Sequence, residues 1–186
     1  RALSRISRNG KQDQGVAADI LCPEFTSAED FLKANETVDS LRLLALDCIT
    51  NPANIGMIVR SAVAGGIDGI LWARKGNAEL GPLVIKASAG TLYRAPMVVC
   101  EELLPTLTEF QTAGYQLLSL AADAKHELGQ SGSAKGKRVF VLGNESNGVS
   151  PEVTKIADGS LRIPMQNGVE SLNVAVSAAL IAYLER

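Results

Sequence analysis

The sequence predicts an α/β domain with a mostly parallel sheet and helices on both faces. Two observations carry that prediction. From Leu41 onward, short apolar runs of strand length alternate with segments whose apolar residues recur at helical spacing. Glycine, proline and asparagine punctuate the changeovers. At 186 residues and 46% hydrophobic content, the chain fits one compact domain plus an appendage. No apolar run is long enough to span a membrane, and no secretory signal pattern opens the chain.

The elements follow in order. Arg1 to about Ile20 is basic, with Arg1, Arg5, Arg8 and Lys11 and no acid among residues 1–12. It is too short to be a domain and looks like the last strand and loop of a larger unit. Residues 23–40 read as a connector. Within it Ser27 caps a short helix, and Glu29 and Asp30 suit that helix's dipole. The run from Leu43 to Ile49 is a buried strand. Asn51-Pro-Ala-Asn54 turns and starts a helix, continued by Ile55, Ile58, Val59, Ala62 and Val63 and stopped by Gly65 and Gly66. Strands are expected at Gly69–Ala73, Pro96–Cys100, Gln116–Ala121 and Arg138–Leu142, with an amphipathic helix over Glu101–Thr112 and a mixed segment over residues 79–95. The final stretch reads strand, loop, and a helix from Leu172 that is apolar nearly all round. Such a helix is buried on all sides, so a subunit interface is a natural partner and a homodimer is expected.

Ligands in such sheets bind beyond the carboxyl ends of strands. The loops at Thr50–Asn54, Ala122–Asp123, Gly143–Gly148 and Pro164–Gly168 therefore share one rim. Two of them are polar and glycine-bearing and can wrap a small molecule with backbone groups, which makes a cofactor pocket. Other chemistries lack their residues. There is no G-x-G-x-x-G after the first strand and no G-x-x-x-x-G-K-[ST]. His126 is the sole histidine and sits in a polar loop, so no Ser-His-Asp triad can form, and no metal cluster is visible. Cys22, Cys48 and Cys100 are scattered and cannot all pair; they read as small buried thiols in a reducing, cytoplasmic compartment. Net charge is −2, so bulk charge does not announce a nucleic-acid binder, and Lys135, Lys137 and Arg138 read as a solvated face. Taken singly, Arg60 is either a phosphate fork or a surface arginine, Glu145 a loop acid, and Ser171 a helix cap.

Together these segments resemble a known family. Asn51-Pro-Ala-Asn-Ile-Gly-Met-Ile-Val-Arg60, Val141-Leu-Gly-Asn-Glu-Ser-Asn-Gly148, and the run from Ile163 through Ser171-Leu-Asn173 to Ala179 stand in the order of the three motifs of the SpoU (TrmH) family of RNA ribose 2′-O-methyltransferases, in the SPOUT superfamily. The segment Lys86–Pro96 also resembles a recurring family segment, and the resemblance runs from about Leu41 to the end. It implies a SPOUT-type methyltransferase domain over residues 41–186 with a deep C-terminal trefoil knot, a rare exception to the rule against threading. Residues 23–40 are then the linker. Residues 1–22 are the remnant of an RNA-binding substrate domain like ribosomal protein L30, because Gln12-Asp-Gln-Gly-Val16 resembles the end of such a domain.

The resemblance further implies S-adenosyl-L-methionine as cofactor, contacted by Leu142, Gly143, Ile163, Met165 and Leu172, with Ala121, Asn144 and Gly148 alongside. Asn54, Arg60, Glu145, Ser171 and Asn173 match the family's polar active-site positions. The implied reaction is an in-line displacement in which a ribose 2′-oxygen attacks the methyl carbon of a sulfonium and a neutral thioether leaves. A guanidinium is a poor base, so Arg60 is expected to clamp the alkoxide or an adjacent phosphate. Ribosomal RNA is the favoured substrate, with transfer RNA, or an RNA-binding module that has lost turnover, as the alternatives. The homodimer would pack through the knot and terminal helix.

Overall fold

The computed structural model describes residues 25–130 and 136–184. Eight strands form one sheet: β1 (Thr26–Ser27), β2 (Leu41–Leu46), β3 (Gly69–Ala73), β4 (Met97–Cys100), β5 (Gln116–Leu120), β6 (His126–Glu127), β7 (Lys137–Leu142) and β8 (Gly159–Arg162). Their order across the sheet is β1-β4-β3-β2-β7-β5-β8-β6, and every pair is parallel. The helices are α1 (Ala28–Ala34), α2 (Pro52–Gly65), α3 (Pro82–Ala87), α4 (Leu103–Thr112), α5 (Pro151–Ile156) and α6 (Val174–Leu184), with a 3₁₀ turn at Thr91–Arg94.

The continuous apolar strands have a simple cause. Both faces of the sheet are covered, so side chains pointing either way meet protein. In β2, Leu44 and Leu46 join a core with Ile55, Ile58 and Val59 of α2 and Ala178 and Ile181 of α6. The alternate residues Leu41, Leu43 and Ala45 join the opposite core with Phe31 of α1, Leu107 and Phe110 of α4 and Val153 of α5.

Helix ends are closed largely as the sequence predicts. Asn51 accepts from the amide of Ala53 and Pro52 opens α2, while Gly66 ends it at φ 74°. Ser27 accepts from the amide of Asp30 at 3.1 Å. Two cations at the amino ends of strands serve helix carboxyl ends, where partial negative charge collects. Arg42 donates to the carbonyl of Gly66 at 2.8 Å and to that of Ala182 at 3.2 Å, tying α2 to α6. Lys137 donates to the carbonyls of Asn35 and Glu36, just past α1.

The structure departs from the sequence reading in several places. Residues 26–34, inside the expected linker 23–40, form an edge strand on β4 and a helix whose Phe31 is buried. Glu101 and Glu102 precede α4 rather than filling its first turn. The mixed segment 79–95 resolves into α3 and the 3₁₀ turn. His126 is exposed but sits in β6. Arg138 is not on a solvated face: it is 4% exposed, with its guanidinium 5.3 Å from the Phe140 ring centre, because β7 runs through the middle of the sheet. Cys48 is exposed and Cys100 only half-buried, since Cys48 lies in the loop beyond β2 at φ 58°. Helix α6 is not buried on all sides within one chain: its α2-facing side is buried, while Val176, Tyr183 and Leu184 are exposed. The basic run of residues 1–12, Cys22, Lys135 and the expected domain remnant 1–22 lie outside the described residues. No described helix is long and apolar enough to cross a membrane.

Candidate active site

The loops after β2, β5, β7 and β8 meet on one rim, as parallel strands require. Beyond the carboxyl ends of β7, β5 and β8 lies a cavity of about 720 Å³. The loop after β7 folds back tightly. Asn144 and Gly148 exchange backbone hydrogen bonds at 3.0 and 2.8 Å, and Gly148 sits at φ 67°. This return leaves no space at Gly143, where an added Cβ would fall on the backbone of Gly148 and Val149. Asn144 holds the loop in place, accepting from the amide of Ser146 at 2.9 Å and donating to the carbonyl of Cys48 at 3.0 Å. A second turn, Gln166–Val169, closes the loop after β8, with Asn167 and Gly168 both at positive φ.

All eight residues expected to contact a cofactor line this cavity. Ala121 does so just after β5, Leu142, Gly143, Asn144 and Gly148 at the β7 loop, and Ile163, Met165 and Leu172 on the segment between β8 and α6. Of the five expected polar site residues, Glu145 and Ser171 line it directly. Asn54 is 4% exposed on the first turn of α2; its amide donates to the Glu145 carboxylate, and its Oδ1 accepts from Asn173 Nδ2 at 3.1 Å. Asn173 also caps α6, accepting from the amide of Ala175 at 2.8 Å, so the cap considered for Ser171 belongs to Asn173. The three motifs are thus joined by one hydrogen-bonded line, Asn173–Asn54–Glu145. Arg60 stands apart from it. It is exposed on α2 and does not line the cavity.

Some residues that shape the site gave no motif signal. Asn77 accepts from the amide of Ile49 at 2.7 Å and donates to the carbonyls of Leu46 and Ala73, fixing the loop that leads to Asn54. Asp47, buried, accepts from the amide of Ser150 and anchors the far end of the β7 loop. Glu127 and Arg162 line the cavity as an ion pair at 2.7 Å. Partial burial, with the Asp47 carboxylate close by, pushes the Cys48 thiol up from its ordinary value.

The model of the SpoU rRNA Methylase family matches residues 42–183, which contain all of these loops. The chain belongs to that family. Among SpoU relatives, an uncharacterised tRNA/rRNA methyltransferase of Mycolicibacterium vanbaalenii is 34% identical over 180 residues, 96% of this chain and 57% of that protein. A TrmH family tRNA/rRNA methyltransferase of Staphylococcus haemolyticus is 32% identical over 171 residues, covering 91% of this chain and 68% of its own. A solved TrmH-family RNA methyltransferase of Porphyromonas gingivalis superimposes with a TM-score of 0.71 at 31% identity, over 80% of this chain and 60% of that one. The SpoU methyltransferase AviRb of Streptomyces viridochromogenes, solved in complex with AdoMet, gives a TM-score of 0.69 at 27% identity over 79% and 59%. The chain therefore spans only part of the length of these SpoU relatives.

Proposed function

We propose that this chain is the methyl-transfer domain of an enzyme that uses S-adenosyl-L-methionine to methylate a ribose 2′-hydroxyl of RNA, ribosomal RNA being the favoured substrate. One observation carries the reading. Two motif loops wrap a single cavity, and the first motif reaches its edge through Asn54, bonded to Glu145 and Asn173.

The cavity suits the cofactor. Its volume of about 720 Å³ lies within the range of about 300–1,000 Å³ common for small-molecule sites. Leu120, Leu142, Leu161, Ile163 and Leu172 offer apolar wall for a nucleobase, and the loop after β7 presents backbone where Gly143 permits close approach. The AdoMet complex of AviRb supports the same assignment. S-adenosyl-L-methionine would supply a methyl carbon activated by a sulfonium, held by Leu142, Gly143, Ile163, Met165 and Leu172, with Ala121, Asn144 and Gly148 beside them.

The chain's own tasks are then alignment and charge stabilisation. Asn54 fixes the Glu145 carboxylate at the cavity edge, where an incoming hydroxyl would give up its proton. Ser171 and Asn173 complete the polar wall. Arg60, six residues beyond Asn54 and so about 9 Å further along the helix, clamps the alkoxide or the adjacent phosphate, and its exposure suits an RNA contact. Arg60→Ala should abolish transfer and leave cofactor affinity within about twofold. Equal loss of both in calorimetry and turnover would remove the assignment.

The knot and the homodimer belong to the same reading. The sheet order, with β7 inserted between β2 and β5 and the chain after β8 returning as α6 against α2, is the path that a C-terminal knot in this family would take. The exposed apolar side of α6 suits a second copy.

The test is methyl transfer from labelled S-adenosyl-L-methionine to unmodified total RNA, with digestion to nucleosides and mass spectrometry. A 2′-O-methylnucleoside in ribosomal RNA is expected. Label in RNA of transfer-RNA size would shift the substrate, a base-methylated product would overturn the ribose assignment, and cofactor binding without transfer to any RNA would favour an RNA-binding module.

A further inference from the structure

We infer that Glu127 and Arg162 form a receptor for the amino-acid tail of the cofactor, the ammonium and carboxylate that adenosine lacks. The inference rests on the cofactor reading above. The sheet order supplies the first argument. The Asn54–Glu145 line stands at the β2 and β7 loops, whereas Glu127 on β6 and Arg162 on β8 stand at the opposite end of the same cavity. Between them the walls carry Leu120, Leu142, Leu161 and Ile163 and fit a flat apolar base. The ion pair is left for whatever part of the ligand carries charge away from the sulfur.

Chemistry supplies the second argument. An amino-acid tail is a zwitterion, positive and negative on one carbon, with no net charge. An arginine forks a carboxylate, a carboxylate accepts from an ammonium, and the four charges alternate without adding net charge to the cavity. Both side chains have capacity to spare. Glu127 accepts from Arg162 through Oε1 and from Gln130 through Oε2, at 2.7 Å each, and a carboxylate has roughly four acceptor sites. Arg162 spends Nη2 on Glu127, while its buried Nε has no hydrogen-bond partner among the described residues. The pair can therefore hold both ends of the tail without parting.

Burial supplies the third. The two side chains are 42% and 25% exposed, Arg162 first, so water competes less than at an open surface. Their position is fixed by backbone: Glu127 and Arg162 are register partners, and the amide of Leu128 donates to the carbonyl of Arg162 at 2.9 Å. The competing role is a staple that merely pins the two-residue strand β6 to β8.

A pair of ligands separates these roles. S-adenosylhomocysteine and 5′-methylthioadenosine share adenosine and a neutral thioether sulfur and differ only in the amino-acid tail. Calorimetric affinities of both are measured for the wild type, Arg162→Met and Glu127→Gln, with thermal unfolding of each protein. The wild type should prefer the homocysteine compound by at least about tenfold, and each variant should lose most of that preference while its affinity for methylthioadenosine stays within about twofold. If the variants weaken both ligands equally, or leave the preference intact, the pair is a staple and the inference falls. A wild type that binds both ligands equally also sinks it, while the cofactor reading stands. A wild type that binds neither overturns both.

Discussion

At the residue scale, the informative positions are those where a side chain has no freedom to be anything else. Gly143 is one: the return of the loop puts the backbone of Gly148 and Val149 where a Cβ would sit. Gly143→Ala should push this loop off its position and weaken binding of S-adenosylhomocysteine by at least about tenfold in calorimetry; unchanged affinity would show that the loop does not shape the ligand's site. Tyr115 is the opposite case. It is 2% exposed, its hydroxyl is buried without a hydrogen-bond partner among the described residues, and burial followed by the charge of Asp68 pushes its phenol above its ordinary value. Removing an unsatisfied hydroxyl costs little, so Tyr115→Phe should change stability by less than about 1 kcal/mol, with either sign small, and keep the edge contact to Phe110. The sign with pH follows. A raised folded-state value means that this group's contribution is intact below pH 10 and is lost as pH rises through the folded value. Urea titrations above pH 10 should therefore show the wild type losing stability faster than the phenylalanine variant.

At the element scale, the site depends on α2 and α6 lying close together. Gly65 makes that possible, because a Cβ there would meet Ala182 on α6, and Gly56 does the same for α3, where a Cβ would come within 2.7 Å of the carbonyl of Val84. Gly65→Val should overpack the crossing and destabilise by about 1–3 kcal/mol, read as a lower urea midpoint. It should also loosen the Asn173–Asn54 bond, which spans the same two helices. These small residues were visible in the sequence as a helix stop and a family segment. Their role as contact points was not, since it depends on which helix arrives from far along the chain. The strands were the more legible elements: β3 begins and ends where the apolar run does, and β7 and β5 are within a residue of their expected limits. The edge strands β1 and β6 were not, because two-residue strands carry no period and exist only through the neighbours they pair with.

At the scale of the whole molecule, the exposed side of α6 asks for a partner. Val176, Tyr183 and Leu184 of α6 and Met57 of α2 are each at least 41% exposed, on helices whose other sides are packed together. Clusters of this kind on one surface mark interaction sites. Light scattering should give twice the chain mass, and Val176→Glu with Leu184→Glu should return the monomer. A wild-type monomer at micromolar concentration would refute the homodimer and leave the cavity argument untouched.

The sequence by itself determined the alternation of strands and helices, the parallel sheet and the three loops that line one rim. These follow from apolar period and turn chemistry, which are local. It also identified every residue now found around the cavity at the β7 and β8 loops, because backbone-rich loops keep their glycine and proline pattern whatever surrounds them. Tertiary structure decided the rest. It buried Arg138, placed Asn77 and Asp47 under the loops, brought Asn54 of one motif to Glu145 of another, and set Glu127 beside Arg162. Each of these is a pairing between residues at least 28 positions apart, and a pairing across that distance is fixed by the order of strands in the sheet, which no local pattern encodes.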